Sequence, residues 1–112
     1  MPYIMLEDLQ DGVLYWTTRN FGASEDRNRL HPVLGVAEEA GELCHAALKM
    51  DQGIRGTEAE HRDAMRDALG DLIIYMADVC NMYGFRLSDC IEETWEKVEK
   101  RNWVEDPKGG GA

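Results

Sequence analysis

Three carboxylates stand close together in the stretch from His31 to Lys49, HPVLGVAEEAGELCHAALK: Glu38, Glu39 and Glu42. Read as a helix, this stretch projects Glu39 and Glu42 about 60° apart and Glu38 and Glu42 about 40° apart, so the three share one narrow face. Like charges at such spacing repel and destabilise a helix by roughly a few tenths of a kcal/mol per pair. Water and salt offset that weakly; a divalent cation offsets it strongly. A second acidic row follows in Asp67, Asp71 and Asp78, which fall at about −40°, 0° and −20° relative to Asp71 on a helix. Leu69, Leu72, Met76, Val79 and Tyr83 form the main apolar stripe roughly opposite, as on an ordinary solvated helix. Yet Ile74, Tyr75 and Met82 share the acidic side, and a carboxylate half-buried among apolar groups needs a partner. Two antiparallel helices that each present carboxylates at mid-length make an oxygen-rich cage suited to Mg²⁺ or Mn²⁺.

The elements that must position these groups are legible in the pattern. Leu6, Leu9, Val13, Trp16 or Thr17, and Phe21 recur at helical spacing, predicting a first helix from Leu6 to Phe21 that ends at Gly22. Polar residues 23–29 form a loop. Pro32 fits the first turn of a second helix that carries the acidic cluster and ends near Met50. Val36, Ala40, Leu43 and Ala47 supply its packing side. Gly35 and Gly41 lie on or beside the acidic face, either for close approach of a helix or ligand or for simple packing. The turn-rich DQGIRG is followed by Thr57 and Glu60, a capping box that opens a third helix running to about Tyr83. Its segment LIIYMADVCNMY is apolar nearly all round, predicting burial on most sides. Ser88 is the expected N-cap of a fourth helix, with Ile91, Trp95 and Val98 as its stripe. Residues 1–106 read as one domain and 107–112 as a flexible tail.

Composition narrows the function. Lys and Arg number 12 against 22 Asp and Glu, a net charge of −10 over 112 residues. Nucleic acid is therefore excluded as a partner, because phosphate contacts need a basic face. A nucleotide is not excluded, since metal ions can bridge carboxylates to phosphates. No apolar run is long enough to cross a membrane, and MPYIMLEDLQDG lacks the pattern of a signal peptide. Cys44, Cys80 and Cys90 read as free thiols of a reducing compartment, so a cytoplasmic location is expected.

GVAEEAGEL followed by DALGDLIIY resembles the MazG-like all-α nucleoside triphosphate pyrophosphohydrolases, whose signature is E-E-x-x-E and then E-x-x-D on the next helix. Glu38, Glu39 and Glu42 match the first half and Asp71 the final aspartate. The first acidic residue of E-x-x-D would fall at Ala68; Asp67, one turn before Asp71, is the substitute. The resemblance implies a four-helix bundle that hydrolyses a nucleoside triphosphate, or dNTP, between the α and β phosphates. It implies Mg²⁺ on Glu39, Glu42 and Asp71, with Asp67 as the substitute ligand. Glu38 would be a further ligand or would orient the attacking water. The phosphate-binding candidates are Lys97 and Arg101 (i,i+4 on helix four), Lys49 and Arg55. Trp16, Asn20 and Tyr75 are candidates to meet the base, although Trp16 also reads as a core aromatic. Four helices alone would leave helix three poorly covered, so a homodimer, or a dimer of dimers, is expected. Two other readings compete. A di-iron bundle would use Glu42–His45 and Glu58–His61, but Glu58 and His61 lie in a first turn and both histidines read as surface residues. A non-catalytic interaction module is the alternative that Ala68 keeps open.

Overall fold

A computed structural model describes residues 3–109 and is helical. The helices are α1 (Leu6–Phe21), α2 (Leu30–Gln52), α3 (Glu58–Tyr83) and α4 (Leu87–Val98), with a short 3-10 turn at Ser24–Asp26. Among the described residues there is no strand. Most boundaries follow local chemistry. Gly22 ends α1 at φ 97° and Gly53 ends α2 in the left-handed helical conformation at φ 69°, positive φ values that favour glycine. Pro32 lies in the first turn of α2, and Asn28 Oδ1 accepts the Leu30 N–H at 2.9 Å. Thr57 and Glu60 complete the expected capping box at the start of α3. Of the expected tail, residues 107–109 are described and 110–112 lie outside the described residues.

One start differs from the reading above. Ser88 does not cap α4; it is buried inside a helix that begins at Leu87. The cap comes from α1 instead, where Gln10 Oε1 accepts the Leu87 N–H at 2.8 Å. The same side chain donates to Asn81 Oδ1 at 3.0 Å and to the Phe85 carbonyl at 2.8 Å, while Asn81 donates back to the Gln10 carbonyl at 3.1 Å. Gln10 thus joins α1, the end of α3 and the start of α4. Around it packs a small apolar cluster of Val13, Ala77, Cys80 and Leu87, flanked by Leu6 and Leu9.

The main architectural unit is the α2–α3 hairpin, in which the acidic rows face each other as the expected cage requires, while the expected apolar packing sides are less buried. The fully buried positions of α2 are Pro32, Gly35, Glu39 and Ala46, which belong to the acidic side; Val36, Ala40, Leu43 and Ala47 are only half-buried. On α3, Asp78 and Ala68 are buried while Leu69, Ile73 and Met76 are exposed. The two helices therefore meet through their acidic faces, and the apolar stripes point outward. Helix three is not covered on most sides within one chain. Ile91, Trp95 and Val98 of α4 are likewise exposed and share a nearly apolar groove with Val33 and Met76. The radius of gyration, 17.4 Å, exceeds the about 13 Å of a compact domain of this length. No helix among the described residues is long and apolar enough to cross a membrane.

The Gln10 junction carries a clear expectation. Gln10→Leu keeps the bulk but strands the Leu87 N–H, the Phe85 carbonyl and Asn81, and each stranded buried group costs about 1–3 kcal/mol. Urea unfolding should show a loss of about 2–4 kcal/mol, against about 1 kcal/mol for removal of the exposed cap by Thr57→Ala. Equal small losses would mean that the junction is not what holds α4.

Candidate metal centre

The carboxylates converge where α2 and α3 run antiparallel at closest approach. Small residues permit that approach. A Cβ on Gly35 would overlap the Tyr75 ring, and Ala68 is 1% exposed between the helices. Of the two glycines beside the acidic face, Gly35 is thus required for close approach, whereas Gly41 faces open space. Carboxylate oxygens of Glu38, Glu39 and Glu42 lie within 4.8 Å of one another, with Glu39 buried and the other two exposed. Asp71 faces them from α3, close enough to interact electrostatically with Glu39 and Glu42, and Asp67 acts on Asp71 in turn. Asp67 also lines an open groove with Glu38 and Glu42, so the acidic side chain nearest in sequence to Ala68 reaches the cluster.

The electrostatics of this arrangement are unfavourable without a counter-charge. Burial pushes the Glu39 carboxyl up to about 7, and its contact with Glu42 and the charges of Glu42, Asp71 and Glu38 push in the same direction. Asp71 is raised as well, first by burial and then by Asp67 and Glu42. Glu39 Oε2 is buried and accepts no hydrogen bond. An ionised carboxylate can only accept, and its neighbours here are also carboxylates, so a proton, a water or a cation must satisfy that oxygen. The donor set is all oxygen, which fits a hard divalent cation held by Glu39, Glu42 and Asp71, with Glu38 and Asp67 beside them.

The other expected site residues are scattered over the molecule. Arg55 shares the groove of Glu38, Glu42 and Asp67, together with His45 and His61. Trp16 and Tyr75 line a separate cavity of about 420 Å³ between α1, α3 and the entry to α2. Tyr75 joins the two regions, because Glu38, Glu39 and Asp71 all act on its hydroxyl and, after burial, raise its pKa. Asn20 is exposed and donates to the Trp16 carbonyl at 2.8 Å. Lys49 donates to Gln52 at 2.9 Å at the end of α2. Lys97 lies in a groove with Glu93, Glu96 and Lys100, and Arg101 stacks over Trp103 beyond the end of α4, not on it. Within one chain, the grooves formed by the acidic cluster do not include these last three cations.

Two further residues were not singled out from the sequence as a pair. Asp78, counted above in the acidic row, is removed from the cluster by Arg27, whose Nη1 and Nη2 donate to Oδ1 and Oδ2 at 2.9 and 2.8 Å. The need for a partner was legible from the apolar setting of Asp78. Its identity was not, because Arg27 lies 51 positions away in a loop. The histidine reading is also corrected: His61 is buried and its Nε2 bonds the Ile54 carbonyl at 2.9 Å. That contact occupies the nitrogen, and Glu58 is absent from the groove, so the second half of a di-iron site is not assembled.

Among the described residues the chain is helical, and its carboxylates facing each other across a hairpin are compatible with a divalent-cation site. A family model for the MazG nucleotide pyrophosphohydrolase domain matches residues 28–104, and the chain belongs to that family. No curated protein and no solved structure matches it.

The raised Glu39 carboxyl predicts a pH dependence. Between the ordinary carboxylate range and about 7, native Glu39 holds a proton that the unfolded chain has lost, so stability falls as pH rises through that window. The melting temperature of the metal-free protein should fall from about pH 5 to about pH 8, and a divalent cation should restore it at the upper end. Glu39→Gln should flatten both responses in the same melting experiment. A wild-type melting temperature that ignores added cation would contradict the metal centre.

Proposed function

We propose that the protein hydrolyses a nucleoside triphosphate or dNTP at the α–β bond, releasing a monophosphate and pyrophosphate, in nucleotide housecleaning. Family membership supports nucleotide pyrophosphohydrolase chemistry in general. The observation that carries the reading for this chain is the buried, unpartnered Glu39 oxygen among four other carboxylates. Mg²⁺, or Mn²⁺ in its place, is the proposed ion, held by Glu39, Glu42 and Asp71 with Asp67 as the fourth ligand. Such an ion supplies charge neutralisation at phosphate oxygens and a bound water of lowered pKa. Glu38, exposed at the groove, is the proposed group to orient a water or take its proton. Arg55 at the same groove is the proposed partner of the outer phosphates. Trp16 and Tyr75 are proposed to receive the base in their cavity, and the exposed Asn20 then lies outside that cavity.

Asp71→Asn removes one ligand charge at nearly constant volume. It should abolish metal-dependent pyrophosphate release, and it should not lower the melting temperature of the metal-free protein, because it relieves repulsion. Asp67→Asn should weaken metal dependence if Asp67 replaces the acidic residue missing at Ala68. The assay is product analysis on a panel of NTPs and dNTPs with Mg²⁺, Mn²⁺ or EDTA. Release of single phosphate would move the attack to the γ position and overturn the reading. Nucleotide binding without turnover would favour a non-catalytic module, which Ala68 makes the second reading.

A homodimer, or a dimer of dimers, is the proposed assembly in the cytoplasm. Its support is the outward apolar stripe and the exposed groove of Val33, Met76, Ile91, Trp95 and Val98. In the assembly, Lys97 and Arg101 would be available to the partner's site. Light scattering should give about two or four times 12.7 kDa, and Trp95→Glu should shift the species toward the monomer and lower its melting temperature. A wild-type monomer would refute the assembly.

A further inference from the structure

The cavity lined by Trp16 and Tyr75 contains more than aromatic surface. Arg27 and Asp78 both line it, and both side chains are nearly buried, at 11% and 7% exposure. Their ion pair is two-pronged, at 2.9 and 2.8 Å, and the guanidinium also lies 5.5 Å from the centre of the Phe21 ring. Phe21 in turn meets Trp16 edge-to-face with centroids 5.5 Å apart. Asp26, which also lines the cavity, adds a carboxylate and no positive charge, and the pair itself is polar and of no net charge.

That neutrality decides what the wall suits. Phosphate binding requires unspent positive charge, and Asp78 has spent that of Arg27. The pairing uses only part of the guanidinium's fork of donors and part of the carboxylate's capacity to accept. A neutral group that presents donors and acceptors in one plane is the complementary ligand, and a nucleobase edge is such a group. We infer that the Arg27–Asp78 pair reads the hydrogen-bonding edge of the nucleobase and is the specificity-determining element of the site.

The inference rests on the nucleotide reading above and adds a direction to it. Tyr75 borders the cavity, lies over Gly35, and interacts electrostatically with Glu38, Glu39 and Asp71 as well as Asp78. The base thus sits on the Tyr75 side of the carboxylates. The phosphates run across them toward the groove where Arg55 lies.

The test uses the full chain and the four dNTPs with Mg²⁺. Arg27→Met combined with Asp78→Leu replaces the pair by apolar groups, an exchange that often leaves a fold intact. The wild type should prefer one base, and in the double variant that preference in kcat/KM should shrink by at least about tenfold, carried by KM. Arg27→Lys keeps the charge and loses the fork, so it should give an intermediate preference, and it decides the matter if the double variant fails to fold. A folded variant with the wild-type preference would show that the pair only supports the fold. A wild type indifferent to the base would also overturn the inference. Failure of the wild type to release pyrophosphate from any nucleotide is a different result, which removes the nucleotide reading itself and this inference with it.

Discussion

A buried carboxylate oxygen with no donor is the constraint on which this structure turns. Glu39 lies inside the α2–α3 contact with Glu38, Glu42, Asp71 and Asp67 around it. Burial and these neighbouring charges raise the cost of ionising Glu39 and Asp71. Hydrophobic burial at the same contact is small, because the facing positions include Gly35, Ala46 and Ala68. The contact that brings the helices together is therefore the one that repels most without a cation. A site of this kind has its affinity for a cation written into its folding energetics.

Other interactions hold the hairpin against that repulsion. The Thr57–Glu60 capping box and the left-handed Gly53 define the short connection at one end. At the other end Arg27 pairs with Asp78 and ties the loop after α1 to α3. Gln10 anchors α1 to both sides of the α3–α4 turn. These three devices lie around the acidic contact rather than within it. The carboxylates are thus left to bind, while neighbouring polar contacts maintain their geometry.

The outward polarity of the hairpin follows from the same arrangement. Once the acidic faces are turned toward each other, the stripe of Leu69, Ile73 and Met76 is only partly covered by the described residues of its own chain. Exposed apolar surface on this scale marks an interaction site in soluble proteins. The extended radius of gyration agrees with a chain whose core is shared. In the proposed assembly the candidate site and the subunit contact would be linked, since one helix pair presents the carboxylates on its inner face and apolar surface on its outer face.

Much of this was legible from spacing. Helix limits at Leu6, Phe21, Thr57 and Tyr83 follow from apolar period and from glycine and capping chemistry, which act over four residues or fewer. The clustering of Glu38, Glu39 and Glu42 follows from helical geometry alone. The meeting of the acidic faces was legible too, but the weaker burial of Val36, Ala40, Leu43 and Ala47 was not, because amphipathic pattern assigns burial to apolar residues, and here small and acidic residues occupy the contact. The cap of α4 did not follow from local pattern either: Ser88 satisfies the local rule, but Gln10, distant in sequence, makes the bond. The sequence by itself determined the helices, the acidic rows and the family. Only the tertiary structure decided that Asp71 faces Glu39, that Arg27 neutralises Asp78 and that Tyr75 joins the cavity to the carboxylates. Those relations depend on the register between two helices and a loop, and register is set by packing across the whole hairpin rather than by any short spacing within it.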